Sequence, residues 1–248
     1  MKLIVFAVEQ GMCVYVRTPN DCGILIDCGK SESFSPAAWL AEHEAPSLSA
    51  PISLVVTHPH ENHVKDMDAV VRLLFPTLLC SDSHEPAEAL PDFGASVRCF
   101  SLSRAEAEEL GGDALNNRSV VTVISYVSAE DYSWKVVIAG DNQANGWEAL
   151  LANSEFCKAI KGADFFVTSS HGQDSGFCAE LFKTMGKPLA NISCSRAGGE
   201  RADSKYRRNA QGVRFPDGSR THFITPDDGN ITVEMRDDGN YDVWLFRP

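Results

Sequence analysis

The most constraining feature of this chain is an apolar segment, 52–56, that runs directly into a turn with three histidines. The β-branched residues of the segment predict a strand, and the apolar spacing after the turn predicts a helix. His58, His60 and His63 therefore cluster at the carboxyl end of the predicted strand. Imidazole is a common ligand of zinc and also binds manganese, iron and cobalt, so we expect a metal site here. The alternative is that these histidines only cap the strand and the helix.

Strand and helix patterns alternate along the remaining chain and predict one domain over residues 1–248. Short alternating or apolar segments predict strands near both ends, at 3–8, 13–17, 23–27, 221–224, 231–236 and 241–246. Between them, Ser35 followed by Pro36 predicts the start of a helix at 36–42, and helical spacing of apolar residues predicts another helix at 64–75. A charged loop is expected at 197–216. This order predicts a layered α/β fold with two similar halves.

Composition excludes some classes of protein and bears on location. No apolar run approaches the roughly 20 residues that cross a bilayer, so no membrane association is expected. The eight cysteines are scattered without CxxC pairs, which predicts reduced thiols in a cytoplasmic protein. A net charge of −12 opposes an extended nucleic-acid-binding surface. A phosphate substrate stays possible, because a local basic patch or bound cations can reverse the sign within one cleft.

Three motifs together resemble the signatures of the metallo-β-lactamase superfamily. Segment 54–63 is similar to the HxHxDH signature in its THPHxDH form. Asp141, after Ile-Ala-Gly at the end of a predicted strand, resembles the bridging aspartate of the superfamily, and His171 resembles its late histidine. The resemblance implies an α/β fold of the αββα type, a four-layer sandwich in which two mixed β-sheets are flanked by helices.

Finer motifs resemble one branch of the superfamily, the ComEC-type competence-protein hydrolase domain and its stand-alone relatives. They are the segments 8–11, 25–29, 117–121 and 140–147, and the similarity extends from about residue 3 to residue 243. Because that branch is associated with nuclease activity on DNA, the resemblance implies phosphodiester hydrolysis of DNA or another nucleic acid.

The chain departs from the superfamily pattern at the fifth position of the HxHxDH motif, where Asn62 replaces an aspartate. An amide is a weak oxygen ligand and takes up no proton, so the second metal site should be weaker or empty. The late motif also keeps one histidine where the branch commonly has two. These departures favour an alternative, a binding or regulatory module with a weakened metal site and a protein partner. Hydrolysis of a small thioester or lactam is a third possibility.

The resemblance implies two sets of metal ligands that share one carboxylate. The expected ligands of one divalent ion are His58, His60 and Asp141. A second ion would be held by His63, His171, Asp141 and, weakly, Asn62. Histidine-rich ligation suits zinc, and a site bridged by an aspartate also accepts manganese. Metal-activated water would then attack the phosphodiester.

Several other polar residues are candidates for substrate contacts. Arg196, Arg207 and Arg208 belong to a basic segment that either steers the phosphate backbone or forms a solvated loop. Asn117 and Ser119 are expected to donate hydrogen bonds to the phosphate.

Four residues near or outside the motifs keep open interpretations. Asp27 either orients a metal-binding histidine or only forms a turn before Cys-Gly. His84 is either an additional ligand or a surface residue, whereas His43 and His222 match no motif and are expected to be structural.

Overall fold

The computed structural model describes residues 1–81, 90–194, 201–215 and 218–247. The strands in these residues are β1 (Lys2–Val5), β2 (Val14–Arg17), β3 (Gly23–Ile26), β4 (Ser53–Val56), β5 (Thr77–Ser81), β6 (Ser96–Phe100), β7 (Val121–Val127), β8 (Ser133–Ile138), β9 (Phe165–Val167), β10 (Ala190–Ser193), β11 (Val213–Phe215), β12 (Gly218–Arg220), β13 (His222–Ile224), β14 (Asn230–Met235) and β15 (Tyr241–Phe246). The helices are α1 (Pro36–His43), α2 (Glu61–Val64), α3 (Met67–Leu74), α4 (Arg104–Glu109), α5 (Ala114–Asn117), α6 (Ala144–Leu151), α7 (Ser154–Ile160), α8 (Ala179–Met185), α9 (Asp203–Arg208) and α10 (Thr225–Asp228).

Two mixed sheets organise the fold. The first has the strand order β15-β14-β1-β2-β3-β4-β5, antiparallel up to β3 and parallel from β3 to β5. The second has the order β13-β10-β9-β8-β7-β6, parallel up to β8 and antiparallel from β8 to β6. The remaining pair, β11 and β12, forms a small antiparallel hairpin.

The sheets pack face to face, because alternate residues of each strand point to opposite sides. Leu3 and Val5 lie in the core between the sheets, whereas Ile4 between them faces the helices on the outside. Helices α1 and α3 cover the first sheet through residues such as Leu40, and α6, α7 and α8 cover the second through residues such as Trp147. The predicted αββα four-layer sandwich is therefore confirmed.

The carboxyl ends of four strands meet at one edge of the sandwich. Strands β3 and β4 are parallel neighbours in the first sheet, and β8 and β9 are parallel neighbours in the second. The Val120 amide donates to the Thr57 carbonyl at 2.9 Å, and the Ser170 amide donates to the Gly140 carbonyl at 3.1 Å. Ligands of open α/β sheets commonly bind beyond such carboxyl ends, so this edge positions the site.

Two sequence predictions, one of a helix and one of a loop, were wrong in detail. The predicted helix 64–75 is split into α2 and α3 around Asp66, whose amide bonds the Cys28 carbonyl and whose carboxylate accepts from Ser35 and from the Ala37 amide. These bonds tie Asp66 to the preceding turn and to the start of α1. The charged segment 197–216, expected as a loop, contains α9 and β11 in its described part.

The cysteines and the helices bear on two expectations from composition. All eight cysteines are free thiols, and six of them are buried. In the described part of the chain, no helix combines the length and apolar composition needed to cross a membrane.

Candidate metal centre

Asp27 lies at the base of the site, directly after β3. Its backbone has a φ of 58°, in the left-handed region that Asp and Asn adopt more readily than most residues. The fully buried carboxylate accepts from the Thr57 amide at 2.7 Å and the Thr57 hydroxyl at 2.6 Å. It also lies 2.5 Å from Nδ1 of His63. Asp27 thus forms the turn and also contacts a predicted metal ligand.

The contact with Asp27 determines how His63 can act. Burial lowers the pKa of His63, but Asp141 and Asp27 outweigh burial and raise it to about 10. The ring is therefore doubly protonated in the metal-free site, and Nε2 lies 3.4 Å from Asp141 Oδ2. A metal ion that binds Nε2 displaces only that proton, because Nδ1–H stays bound to Asp27.

His58 is oriented through the hydroxyl of Thr57. Because this hydroxyl donates to Asp27, its oxygen can accept from Nδ1–H of His58, which is 3.0 Å away. The Ser119 hydroxyl lies 3.2 Å from the same nitrogen. Burial, followed by the charge on His63, lowers the pKa of His58 to about 4, so its ring is neutral at pH 7. The lone pair of His58 therefore resides on Nε2.

His60 completes a pair of imidazoles with His58. Nδ1 of His60 lies 3.0 Å from Nε2 of His58, so both nitrogens can bind one ion. Nε2 of His60 faces Asp113, at 3.8 Å from Oδ2. Asp113 was not predicted from the sequence, because its only local signal is that of a helix cap. In the structure its carboxylate caps α5 by accepting from the Leu115 amide.

Asp141 is the centre on which the histidines converge. Its Oδ2 lies 3.3 Å from His171 Nε2, 3.4 Å from His63 Nε2 and 3.8 Å from His58 Nε2. Burial alone would raise the pKa of Asp141, but His171 and His63 hold it well below its usual range. The carboxylate is therefore ionised. Gly140 precedes it with a φ of 59°, and a side chain there would press against Ser119.

His171 is presented by a left-handed turn after β9. Ser170, His171 and Gly172 have φ values of 45°, 56° and 83°, which are unfavourable for residues with a Cβ. Two hydrogen bonds hold this turn. The Ser170 amide donates to the Gly140 carbonyl, and the Arg201 guanidinium donates to the His171 carbonyl at 2.8 Å. This contact of Arg201 was not predicted from the sequence, because the chain has no local signal for it.

The donors in this cluster fit a divalent metal ion. One ligand atom each from His58, His63 and Asp141 lies within 4.8 Å of the others. Nε2 of His63 and Oδ1 of Asp141 are buried without a hydrogen-bond partner among the described residues, as expected of atoms that serve a metal. Imidazole nitrogens with carboxylate oxygens are the donor set that zinc uses, and manganese also accepts it.

Asn62 lies beside these donors at the start of α2. Its amide nitrogen lies 3.0 Å from the Gln10 carbonyl oxygen and 3.3 Å from Nε2 of His171. The predicted ligands His58, His60, His63, Asp141 and His171 are thus brought together with Asn62. It is the nitrogen of Asn62, however, that faces His171.

Asn117 and Ser119 support the site from behind, and the hydrogen bonds predicted from them to a substrate need correction. Asn117 is fully buried, its Oδ1 accepts from the Gln143 amide, and its Nδ2 donates to the Gly111 carbonyl. Ser119 is also fully buried, and its hydroxyl accepts from the Asp141 amide at 3.0 Å. Both side chains are committed to internal contacts, and Ser119 links the two sheets, because its hydroxyl contacts both His58 and the Asp141 amide.

Arg207, Arg208, His43 and His222 are not among the donors of the cluster. Arg207 and Arg208 are exposed on α9, whereas Arg196 and His84 lie outside the described residues. His43 is exposed at the end of α1 and stacks on Trp39, and His222 is buried in β13, as expected of structural histidines.

An open cleft of ≈ 580 Å³ leads to Asp141 and His171. Its walls are polar and carry amides such as Gln143 together with Lys30 and Lys65. Among the described residues, no Phe, Tyr or Trp lines it. The cleft therefore suits a polar molecule better than an apolar one.

Comparison with solved structures identifies the fold. The chain is similar to the metallo-β-lactamase fold protein YhfI from Bacillus subtilis, with a TM-score of 0.50 and 11% identity over 90% of this chain and 95% of that one. It is also similar to a long form RNase Z from yeast, with a TM-score of 0.51 and 11% identity over 88% of this chain. The match spans only 41% of the yeast protein. No family model and no curated protein matches the sequence. The chain has the metallo-β-lactamase fold.

Proposed function

We propose that this protein is a metal-dependent hydrolase that cleaves phosphodiesters in DNA or another nucleic acid. The observation that carries the proposal is the convergence of His58, His63 and His171 on the ionised Asp141 at the end of an open polar cleft. Buried donors without hydrogen-bond partners beside a solvent-accessible cleft are typical of catalytic metal sites.

Two sets of residues would hold divalent ions. His58, His60 and Asp141 form the first set, and His63, His171 and Asp141 form the second. Zinc and manganese both fit these donors. A divalent ion bound here supplies Lewis acidity toward a phosphoryl oxygen and makes water a stronger nucleophile.

The protein's own residues prepare the donors. Asp27 holds Nδ1–H of His63 directly and sets the tautomer of His58 through the Thr57 hydroxyl, so both Nε2 atoms face Asp141. Asp141 stays ionised because the neighbouring imidazoles depress its pKa. The donors are thus oriented before a substrate arrives, which reduces the reorganisation that catalysis requires.

The surroundings of the site are polar and include cations that can meet an anionic substrate. Lys30 and Lys65 line the cleft together with Glu9 and Glu61. Arg207 and Arg208 are exposed on α9, and in the described part of the chain neither forms an ion pair. Helix α9 adjoins the cleft. Its Lys205 forms an ion pair with Asp174, which lies in the chain between the cleft residues Gln173 and Ser175. This local basic surface can bind a phosphate backbone despite the overall charge of −12.

Two further observations support a nucleic-acid substrate. The finer motifs of the sequence are similar to the ComEC-type hydrolase domain, and one of the fold neighbours is an RNase Z. The polar cleft also argues against a small apolar substrate.

We further propose a cytoplasmic location, because eight free thiols suit a reducing compartment.

Metal analysis and a nuclease assay test the proposal. The purified protein should bind zinc or manganese and cleave labelled DNA or RNA in the presence of manganese. His60→Ala should reduce cleavage at least about 100-fold, because a metal ligand is lost. His43→Ala removes an exposed histidine outside the site and should leave cleavage unchanged. Absence of both metal binding and cleavage in the wild-type protein would instead favour a binding module.

A further inference from the structure

Asn62 is held in place by an unusually close packing of three backbone segments. The Asn62 carbonyl oxygen lies where a side chain on Gly11 or Gly29 would collide with it. The Gly29 amide in turn donates to the Met12 carbonyl at 2.8 Å. The segment that contains Gln10 is therefore fixed against the start of α2.

This packing determines the orientation of the Asn62 amide. The Gln10 carbonyl oxygen can only accept a hydrogen bond, so the Asn62 atom 3.0 Å from it must be the NH₂ group. A flipped amide would place two acceptor oxygens against each other. The same NH₂ group lies 3.3 Å from Nε2 of His171. The second N–H is thus directed toward His171, one of the predicted metal donors.

We propose that Asn62 is a substrate-binding residue that donates a hydrogen bond to an anionic phosphoryl oxygen, and that it is not a metal ligand. The proposal rests on the proposed function of the site. One N–H of Asn62 is used by Gln10, and the other faces the cleft next to His171. When Nε2 of His171 donates its lone pair to an ion, that nitrogen cannot accept from Asn62, so this N–H is left for the substrate.

The charge of the site supports the same assignment. A carboxylate at position 62 would repel the substrate's phosphate and would lie against the Gln10 carbonyl, whereas an N–H attracts an anionic oxygen. With Asn62, Asp141 is the carboxylate of the donor cluster, and Asp27 behind it is engaged by Thr57 and His63. An amide at position 62 therefore makes the cleft more favourable for a phosphodiester.

The test separates metal binding from substrate binding in the intact chain. Zinc stoichiometry and affinity are measured by titration calorimetry for the wild type, Asn62→Ala and Asn62→Asp. Binding of a phosphorothioate dinucleotide, which mimics a phosphodiester, is then measured on each zinc-loaded protein. Asn240→Ala is a matched control, since Asn240 is exposed and bonds only within its own turn among the described residues. Thermal melts show whether each variant is folded.

We expect Asn62→Ala to keep the zinc stoichiometry and affinity of the wild type. Its dinucleotide affinity should fall about 10-fold or more, because a hydrogen bond to a charged group is lost. Asn62→Asp should bind the dinucleotide more weakly still, without binding an additional ion. A loss of zinc by Asn62→Ala, a gained ion in Asn62→Asp or unchanged dinucleotide binding would overturn the proposal.

The design distinguishes this proposal from the proposed hydrolysis. If the wild type binds the dinucleotide through Asn62 but cleaves no nucleic acid, the hydrolase proposal fails and the role of Asn62 stands. If the wild type cleaves nucleic acid and Asn62→Ala binds the dinucleotide equally well, the role of Asn62 fails alone. A zinc-loaded wild type that does not bind the dinucleotide at all also overturns it.

Discussion

Asp27 orients two histidines at once, so replacing its carboxylate by an amide should weaken both metal positions. In Asp27→Asn one oxygen can still accept from the Thr57 amide. The new NH₂ group would then face the Thr57 hydroxyl and Nδ1 of His63, where the wild type has an acceptor. His63 can accept from this group only by moving its proton to Nε2, which removes the lone pair that a metal ion needs.

The size of the effect follows from these contacts. Loss of a carboxylate that orients a metal-binding histidine typically weakens metal affinity about 10- to 100-fold, or about 1.4 to 2.7 kcal/mol. Metal-free Asp27→Asn should also be less stable by about 3 kcal/mol, because hydrogen bonds to a buried charged group contribute about 1.5–3 kcal/mol each. Asparagine tolerates the left-handed backbone of Asp27, so the change isolates the side chain.

Zinc competition with a chromophoric chelator measures the affinity, and urea unfolding with a chelator present measures the stability. Asp131→Asn is the matched control, since Asp131 also has a positive φ, of 64°, but is exposed in the turn between β7 and β8. We expect this control to behave like the wild type. Zinc binding by Asp27→Asn at the wild-type affinity would refute the assigned role of Asp27.

Two further predictions concern the support of the His171 turn and its surroundings. Gly172→Ala should destabilise the protein by about 2 kcal/mol more than Gly162→Ala, as measured by urea unfolding, because its added Cβ would overlap the Ser193 hydroxyl. Both glycines have positive φ, but a Cβ on Gly162 meets open space, so equal losses would contradict the packing argument. His222 makes the free energy of unfolding depend on pH. Burial lowers the pKa of His222 in the folded protein to about 4, whereas in the unfolded chain it is about 6.5. As the pH falls below about 6.5, the unfolded chain therefore takes up a proton before the folded protein does. The folded protein should therefore lose about 2 kcal/mol of stability between pH 7 and pH 5. His222→Gln should reduce this loss, as measured by urea unfolding at the two pH values.

The sequence by itself determined the layered α/β architecture and the strands near both ends of the chain. Its periodicity is local, because alternate residues of a strand and every third or fourth residue of a helix face the core. Pro36 after Ser35, for example, predicted the start of α1, and the serine caps it in the structure. The three histidines after β4 were also visible, since their clustering needs no long-range contact.

Tertiary structure decided where local patterns were interrupted. The helix predicted at 64–75 breaks at Asp66, because this residue bonds the Cys28 carbonyl and the start of α1. Similarly, Asn117 matched a motif that suggested substrate contact, but the approach of Gln143 and Gly111 buries both ends of its amide. Neither outcome can be read from spacing, because Cys28 and Gln143 are distant along the chain from the residues that they contact.

The same division holds for the metal centre. The identity of the donors, from His58 to His171, was available from residue types and motif spacing. Their protonation and orientation were not, because these depend on Asp27 below the ring of His63 and on Arg201 behind the His171 turn. The sequence showed an asparagine at position 62, and only the packing of Gln10 against α2 revealed which end of its amide faces the site. A hydrogen bond depends on distance and direction in space, and these arise only when the two sheets meet.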